Sequence, residues 1–408
     1  MSTKRISLAF FILIAFGILL AAACNSQTPA ASPTTGIQES TATTESQQAA
    51  ANQAITTGRI GNEKLAPELK AISGWLNTEP FALEDLRGQV VLVDFWTYTC
   101  INCIRTLPYL KDWHDKYADD GLVIVGVHTP EFDFEHIYEN VEDAIAEYGL
   151  KYPVAQDNDY GTWRAFSNRY WPAKYLIDKD GYIRYTHFGE GAYEETEEWI
   201  RALLAEAGVD LSQQAFEALE EREFDPAVYT SDSATSLTRE LYAGTDRNYA
   251  AVQFKGSPPY VRNLEFYSQP DIVLDYNDPG NYENHYIYLE GNWRNAEESV
   301  VHTRDTEGSE DYIAIKFYAT SVNAVMAPPE GETATVVVTI EGQPLTQPQA
   351  GVDVMWDDAG RSYIAVNSSR MYNVVEVSKF AGYDLKLSPY EEGFELFAFT
   401  FGGFKKAQ

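Results

Sequence analysis

The chain is poor in cysteine, histidine and positive charge, and each shortage removes a class of explanation. Three cysteines in 408 residues cannot form the disulfide framework of a small secreted scaffold, so the fold must rest on its apolar core. Cys24 stands alone, Cys100 and Cys103 form a CxxC pair, and no second pair exists. With only six histidines, scattered along the chain, a closed tetrahedral zinc site finds no obvious third and fourth ligand. Thirty basic residues face 61 acidic ones, a net charge of −31; nucleic acid and anionic lipid surfaces would be repelled, so neither is expected as a partner. Only one long apolar run occurs, at the N-terminus. What the chain does have is length for two cores, 45% hydrophobic residues, and 27 Tyr with 20 Phe, which favour pleated surfaces.

Lys4 and Arg5, the apolar run from Ile6 to Leu20, and Ala21-Ala22-Ala23 before Cys24 read as a targeting segment. It resembles a bacterial lipoprotein signal, which implies a signal peptide over 1–23 and lipidation of Cys24. An uncleaved anchor with Cys24 incidental is the alternative. Both put the remainder outside the cytoplasm, in the periplasm or on the outer face, and several acyl chains would hold it stably on the membrane. Residues 24–57, mostly Ser, Thr, Gln, Ala and Asn, cannot bury enough surface to order and read as a tether. Residues 58–210 alternate strand-like and helix-like stretches, an α/β pattern: a strand from Val90 to Phe95, helical spacing of Ile104, Leu107, Leu110, Trp113 and Tyr117, a strand from Leu122 to Val127, and a helix expected over Phe134 to Tyr148. A charged connector, 211–225, follows. Residues 226–408 carry short strands separated by turns such as Glu341-Gly342 and Ala381-Gly382, the pattern of an all-β sandwich or jelly roll.

Disulfide exchange needs an accessible thiolate to attack and a second thiol to resolve the mixed disulfide. Cys100 follows an apolar strand and should open the next helix, where free N–H groups favour an anion; Cys103, about one turn deeper, should be shielded. Cys100 is therefore expected to attack and Cys103 to resolve. Half a zinc site and an inert short-loop disulfide share the CxxC spacing, though neither gains support elsewhere in the chain. No cofactor is needed, because the two sulfurs carry both electrons.

The stretch VVLVDFWTYTCINCIRTLPYL (90–110) resembles the active-site region of thioredoxins, most closely the TlpA-like and DipZ-like membrane-associated ones. The resemblance implies a thioredoxin-like α/β domain, with a central mixed sheet flanked by helices, and thiol-disulfide oxidoreductase activity. It implies a buried Asp94 that takes the proton of Cys103, a Trp96 packed beside the centre and in contact with substrate, a helix-bending Pro108, and, from NRYWPAKYLID (168–178), a cis-proline at Pro172 whose neighbour Trp171 pairs with extended substrate. Trp171 filling core, Asp94 facing solvent and Trp96 as plain core are the competing readings. GVHTPEFDFE (126–135), YPVAQDNDYGTW (152–163) and FGEGAYEETE (188–197) extend the likeness, placing Glu131 either at the site as a second acid or on a solvated loop. His128 reads as structural rather than metal-binding.

GNWRNAEESVV (291–301), YIAIKFYA (312–319) and FELFAFTFG (394–402) resemble the β-rich domain that follows the thioredoxin domain in DipZ-like proteins. That domain is similar to carbohydrate-binding modules; Trp293, Trp356, Tyr282 and Tyr286 are expected in the core or in strand pairs rather than as sugar-stacking faces. DipZ-like proteins also carry a multi-span membrane domain, so the resemblance implies a separate membrane electron donor of CcdA- or DsbD-like type, with exported protein thiols and disulfides as substrates. Thiol peroxidase of the AhpC/TSA-like redoxin kind is an alternative, since Thr97 stands three residues before Cys100, although Val93 replaces the Pro that chemistry requires. A copper chaperone and a non-catalytic glycan-binding lipoprotein complete the set.

Overall fold

Parallel strands buried on both faces read as unbroken apolar runs, and the two longest such runs of the α/β part lie side by side at its centre. In this computed structural model, which describes residues 64–254, 258–308 and 310–405, the first sheet contains β1 (Gly74–Leu76), β2 (Val90–Trp96), β3 (Leu122–His128), β4 (Val154–Gln156), β5 (Ala173–Ile177) and β6 (Ile183–Phe188) in the order β1-β4-β3-β2-β5-β6. β2, β3 and β4 are parallel, whereas β1, β5 and β6 pair antiparallel, so the sheet is mixed. The helices are α1 (Ile101–Tyr117), α2 (Tyr138–Tyr148), α3 (Gly161–Ala165) and α4 (Tyr193–Glu206). Alternation along β2 sends Val90, Leu92 and Trp96 toward Leu107, Leu110, Trp113, Ile200 and Leu203. Val91, Val93 and Phe95 meet Phe166 and Tyr175 on the opposite side. The helix expected from Phe134 begins only at Tyr138, because Asp133–His136 forms a 3-10 turn and Ile137 is extended. Cys24, the targeting segment and the tether lie outside the described residues.

The strands of the second part pair antiparallel, and one α-helix, α5 (Thr245–Phe254), accompanies them. Its strands are β7 (Leu241–Tyr242), β8 (Val273–Tyr276), β9 (Ile287–Asn295), β10 (Val300–His302), β11 (Tyr312–Ala327), β12 (Ala334–Ile340), β13 (Gln343–Pro344), β14 (Met355–Trp356), β15 (Ser362–Val366), β16 (Arg370–Pro389) and β17 (Glu395–Gly402). Two strands are far longer than the sequence suggests: β11 has 16 residues and β16 has 20. Turn signals at Ala381-Gly382 do not end β16, since that pair stays in register with Tyr318 and Ala319. The first half of β11 pairs with β9 and the second half with β17, with a register shift between Ala319 and Ser321. A long strand that changes neighbours at such an irregularity turns the corner of a sandwich. Ile315, Phe317, Val336, Ile364, Leu387 and Phe399 belong to the core that this wraps.

The described residues form one compact unit, and a small apolar junction explains how. Phe132, on the loop after β3, packs with Val325, Ala327, Phe397 and Ala398, and Phe134 lies against the same group. The ring of Phe397 meets Phe132 and Phe134 edge-on at centroid distances of 5.3 and 4.9 Å. The charged connector ties into both parts: Tyr109 donates to the Glu220 carbonyl at 3.0 Å and Asp225 N–H to the Gly403 carbonyl at 2.7 Å.

Candidate active site

β2 runs through the middle of the sheet, and beyond its C-terminal end Cys100 closes the turn that follows by capping α1. Its backbone is extended (φ −82°, ψ 112°), and its Sγ accepts the N–H of Cys103 at 3.3 Å. A sulfur thereby occupies the place where a hydroxyl or carboxylate usually satisfies the unpaired donors of a helix start. Cys100 is half-buried, Cys103 is 1% exposed, and neither is disulfide-bonded. Burial first, then the hydrogen bond and charge of Cys100, push the Cys103 thiol well up, and Asp94 adds to the effect. Cys103 therefore needs a base before it can attack. Pro108 lies inside α1, as the resemblance implied.

Asp94 lies on the same side of the sheet as Cys103. It falls between Leu92 and Trp96 on the face of β2 that α1 covers, the face whose core includes Cys103. It is 1% exposed and its Oδ1 has no hydrogen-bond partner. Burial raises the carboxyl to about 7, with the opposing pull of Lys174 coming second. Lys174 is the register partner of Asp94 on β5; it is buried, burial lowers its pKa, and Asp94 counters that. A buried charge survives only with partners, and the Lys174 ammonium has the Gly189 carbonyl at 3.5 Å and the Tyr193 ring at 5.4 Å. Sequence reasoning passed over Lys174, although a lone lysine in the buried run Ala173–Ile177 was the available signal.

The Trp171–Pro172 peptide is cis, matching the expectation from resemblance. Trp171 lines the cleft beside Cys100, its indole donating to the Thr129 carbonyl at 3.1 Å and packing 4.3 Å from Trp163. Trp96, expected to touch substrate, does not: it is fully buried, edge-on to His128 at 5.2 Å, because the last residue of a strand covered on both faces cannot reach the surface. His128 is fully buried, held down to about 3 chiefly by burial, and 3.3 Å from the Thr97 hydroxyl. That contact leaves Thr97 turned into the core rather than toward an incoming peroxide. Among the described residues no group of three His, Cys, Asp or Glu is arranged to hold a metal.

Glu131 is not on a solvated loop; it lines the cleft at Cys100 and reaches the second part of the chain. Its carboxylate lies 3.0 Å from Arg247 Nη2 and 3.0 Å from the Tyr242 hydroxyl. Burial, partly offset by Arg247, raises its carboxyl to about 7. The loop beneath it is fixed by Glu135, which was not foreseen: fully buried, it accepts from the Thr99 hydroxyl at 2.5 Å and from the N–H groups of Glu131 and Phe132. Cys100 thus opens into a narrow cleft of about 100 Å³ whose far wall is Glu240, Tyr242, Val325, Ala398 and Thr400. No sequence signal pointed to those five, since they become neighbours of Cys100 only through the junction of the two parts.

Of the aromatic residues weighed as sugar-stacking faces, the two tryptophans pack in the core and each tyrosine carries a cation over its ring. Trp293 is fully buried, donating to the Glu290 carbonyl at 2.8 Å, and Trp356 packs on the core while donating to Leu345. Arg262 lies over Tyr286 at 4.9 Å and Lys386 over Tyr282 at 5.8 Å.

Known proteins with similar sequences divide along the same two parts. Residues 63–186 match the AhpC/TSA family, and residues 238–402 match the family described as thioredoxin like C-terminal domain. Protein DipZ of Mycobacterium tuberculosis is 35% identical over 345 residues, which is 83% of this chain and 43% of DipZ. The chain therefore spans less than half of that relative. Thiol-disulfide oxidoreductase YkuV of Bacillus subtilis is 31% identical over 140 residues, 34% of this chain and 94% of YkuV. Thiol-disulfide oxidoreductase ResA of Bacillus thuringiensis is 30% identical over 128 residues, 31% of this chain and 71% of ResA.

Proposed function

We propose, from the premise that this chain belongs to the thioredoxin-like thiol-disulfide oxidoreductases of DipZ and TlpA type, that its Cys100–Cys103 pair exchanges disulfides in exported proteins outside the cytoplasm. The observation that carries this reading is the contrast between the two sulfurs: Cys100 is half-exposed at a helix start and faces a cleft, while Cys103 is buried beneath it in the core that Asp94 joins. In the reducing direction the Cys100 thiolate attacks one sulfur of the substrate disulfide and expels the other as thiolate. Asp94 takes the proton of Cys103. The Cys103 thiolate then attacks Cys100 Sγ, a Cys100–Cys103 disulfide forms, and the second substrate thiolate leaves with a proton returned from Asp94. Two electrons pass from enzyme to substrate, and a thiol donor must return them.

That donor, in this reading, is a membrane protein of CcdA- or DsbD-like type, and the enzyme is held near it by lipid on Cys24. Among the described residues no helix is long and apolar enough to cross a membrane. The working division is a signal peptide at 1–23, a tether at 24–57, a thioredoxin-like domain at 58–210, a connector at 211–225 and a β-sandwich at 226–408. Peroxide reduction ranks below exchange because the Thr97 hydroxyl is engaged by His128 and Val93 stands where a proline is needed. The reduced full-length chain, mixed separately with glutathione disulfide and with hydrogen peroxide, tests the choice. The disulfide is expected to oxidise the Cys100–Cys103 pair at least about tenfold faster. A faster reaction with peroxide, accompanied by turnover, would replace exchange with peroxidase chemistry.

A further inference from the structure

The cleft at Cys100 has two owners. On one side stand Thr99, Asn102, Glu131, Phe132 and Trp171, all from the thioredoxin-like part, and on the other the five residues contributed by the β-rich part. At about 100 Å³ it has room for roughly three waters at about 30 Å³ each, a space suited to one small side chain. Exchange requires the incoming sulfur to touch Cys100 Sγ with its leaving partner on the opposite side. A sulfur carried on a broad, rigid surface cannot reach that position without moving the far wall.

The far wall is pinned on both flanks of the cleft. On one flank the Glu131 carboxylate is clasped by Tyr242 and Arg247, and the Arg247 guanidinium lies 4.7 Å over the Tyr242 ring. Beside that clasp the Asp133 N–H donates to Glu298 at 2.9 Å, and Phe132 and Phe134 grip Phe397. The Tyr98 ring, 6.2 Å from Phe134, adds a bond from its hydroxyl to the Ser369 carbonyl at 3.3 Å, and on the other flank Arg105 lies 4.8 Å over the Phe404 ring. Apolar packing, a charge-assisted bond and main-chain contacts all hold the same gap, so its width belongs to the fold.

We propose that the β-rich part is the specificity wall of the redox centre: it admits disulfides whose sulfur is carried on a narrow arm, a low-molecular-weight disulfide or an extended peptide, and turns away those set in a folded surface. Tyr242 and Arg247 are its specificity-determining residues. This rests on the reading of Cys100 as the attacking sulfur.

The test compares second-order rates at which three disulfides oxidise the reduced full-length chain. The probes are glutathione disulfide, a linear peptide of about ten residues whose single cysteine carries glutathione, and native insulin. Both narrow probes are expected to outrun insulin by about tenfold or more, and Tyr242→Ala and Arg247→Ala are each expected to shrink that gap about threefold or more. Glutathione disulfide leading would mark a small-molecule substrate, the peptide leading a polypeptide one, and both support the wall. Insulin matching the narrow probes in the unaltered chain would overturn it. So would an unchanged gap in both variants when circular dichroism shows them folded. If none of the three disulfides oxidises the chain, the exchange reading itself fails and the wall falls with it; if only the gap is missing, exchange stands without the wall.

Discussion

Replacing Cys100 by serine is expected to reduce disulfide turnover by at least about a thousandfold, to the uncatalysed level. A hydroxyl at this helix start keeps the capping geometry, so the fold should persist. It cannot act as the sulfur nucleophile, however, and no other described thiol faces the cleft, since Cys103 is 1% exposed. Cys103→Ser should behave differently. The first attack by Cys100 survives, the resolving attack is lost, and each chain should capture one equivalent of substrate as a stable mixed disulfide before steady-state turnover stops. Turnover assays on the two variants, with one-equivalent capture read by intact mass, separate attack from resolution. Similar residual activity in both would show that the two sulfurs do not divide the work.

Asp94→Asn carries the second large expectation, and its sign follows from burial. In the native chain burial lifts this carboxyl from 3.8 to about 7, so the protonated form is the one the fold prefers. The stability this lends is fully present below the unfolded value near 4 and is lost as pH rises through about 7. Asparagine cannot ionise. Chemical denaturation should therefore show the variant gaining on the native chain between pH 4 and pH 8, by roughly 4 kcal/mol if each tenfold weakening of the acid is worth about 1.4 kcal/mol; Lys174, left without its partner, works against that gain. Activity should move the other way. Above pH 7 Asp94 is ionised and can accept the Cys103 proton, so resolution in the native chain should speed up through about pH 7, whereas the variant should resolve about a hundredfold more slowly at pH 8. A resolution rate in Asp94→Asn equal to the native one at pH 8 would remove Asp94 from the mechanism.

How much of this was legible in the sequence depended on whether the signal was local. The apolar run at Val90–Trp96, the CxxC beyond it and the helical spacing through Trp113 and Tyr117 each lie within one element, and the structure places them as read. The burial of Asp94 could be read from its place in that same run. Lys174 was missed because its meaning lies in the register of β5 against β2, which no window along one strand contains. Glu131 shows the limit most clearly. Its loop position left open whether it faced solvent or the site, and the answer came from Tyr242 and Arg247, more than 100 residues later in the chain. The same holds for β16, where Ala381-Gly382 looked like a turn from its own residues and is held in the strand by pairing with β11. Trp96 was misplaced for the opposite reason: a family likeness put it near substrate, while the two-sided burial of β2 keeps it inside.

Division of labour between the two thiols comes down to which sulfur can be reached first. The reduced full-length chain should be treated with a limiting amount of iodoacetamide at pH 7 without denaturant, and the modified peptides mapped by mass spectrometry. Modification of Cys100 ahead of Cys103 by about tenfold or more is the predicted result; Cys103 reacting first, or the two reacting equally, would contradict it.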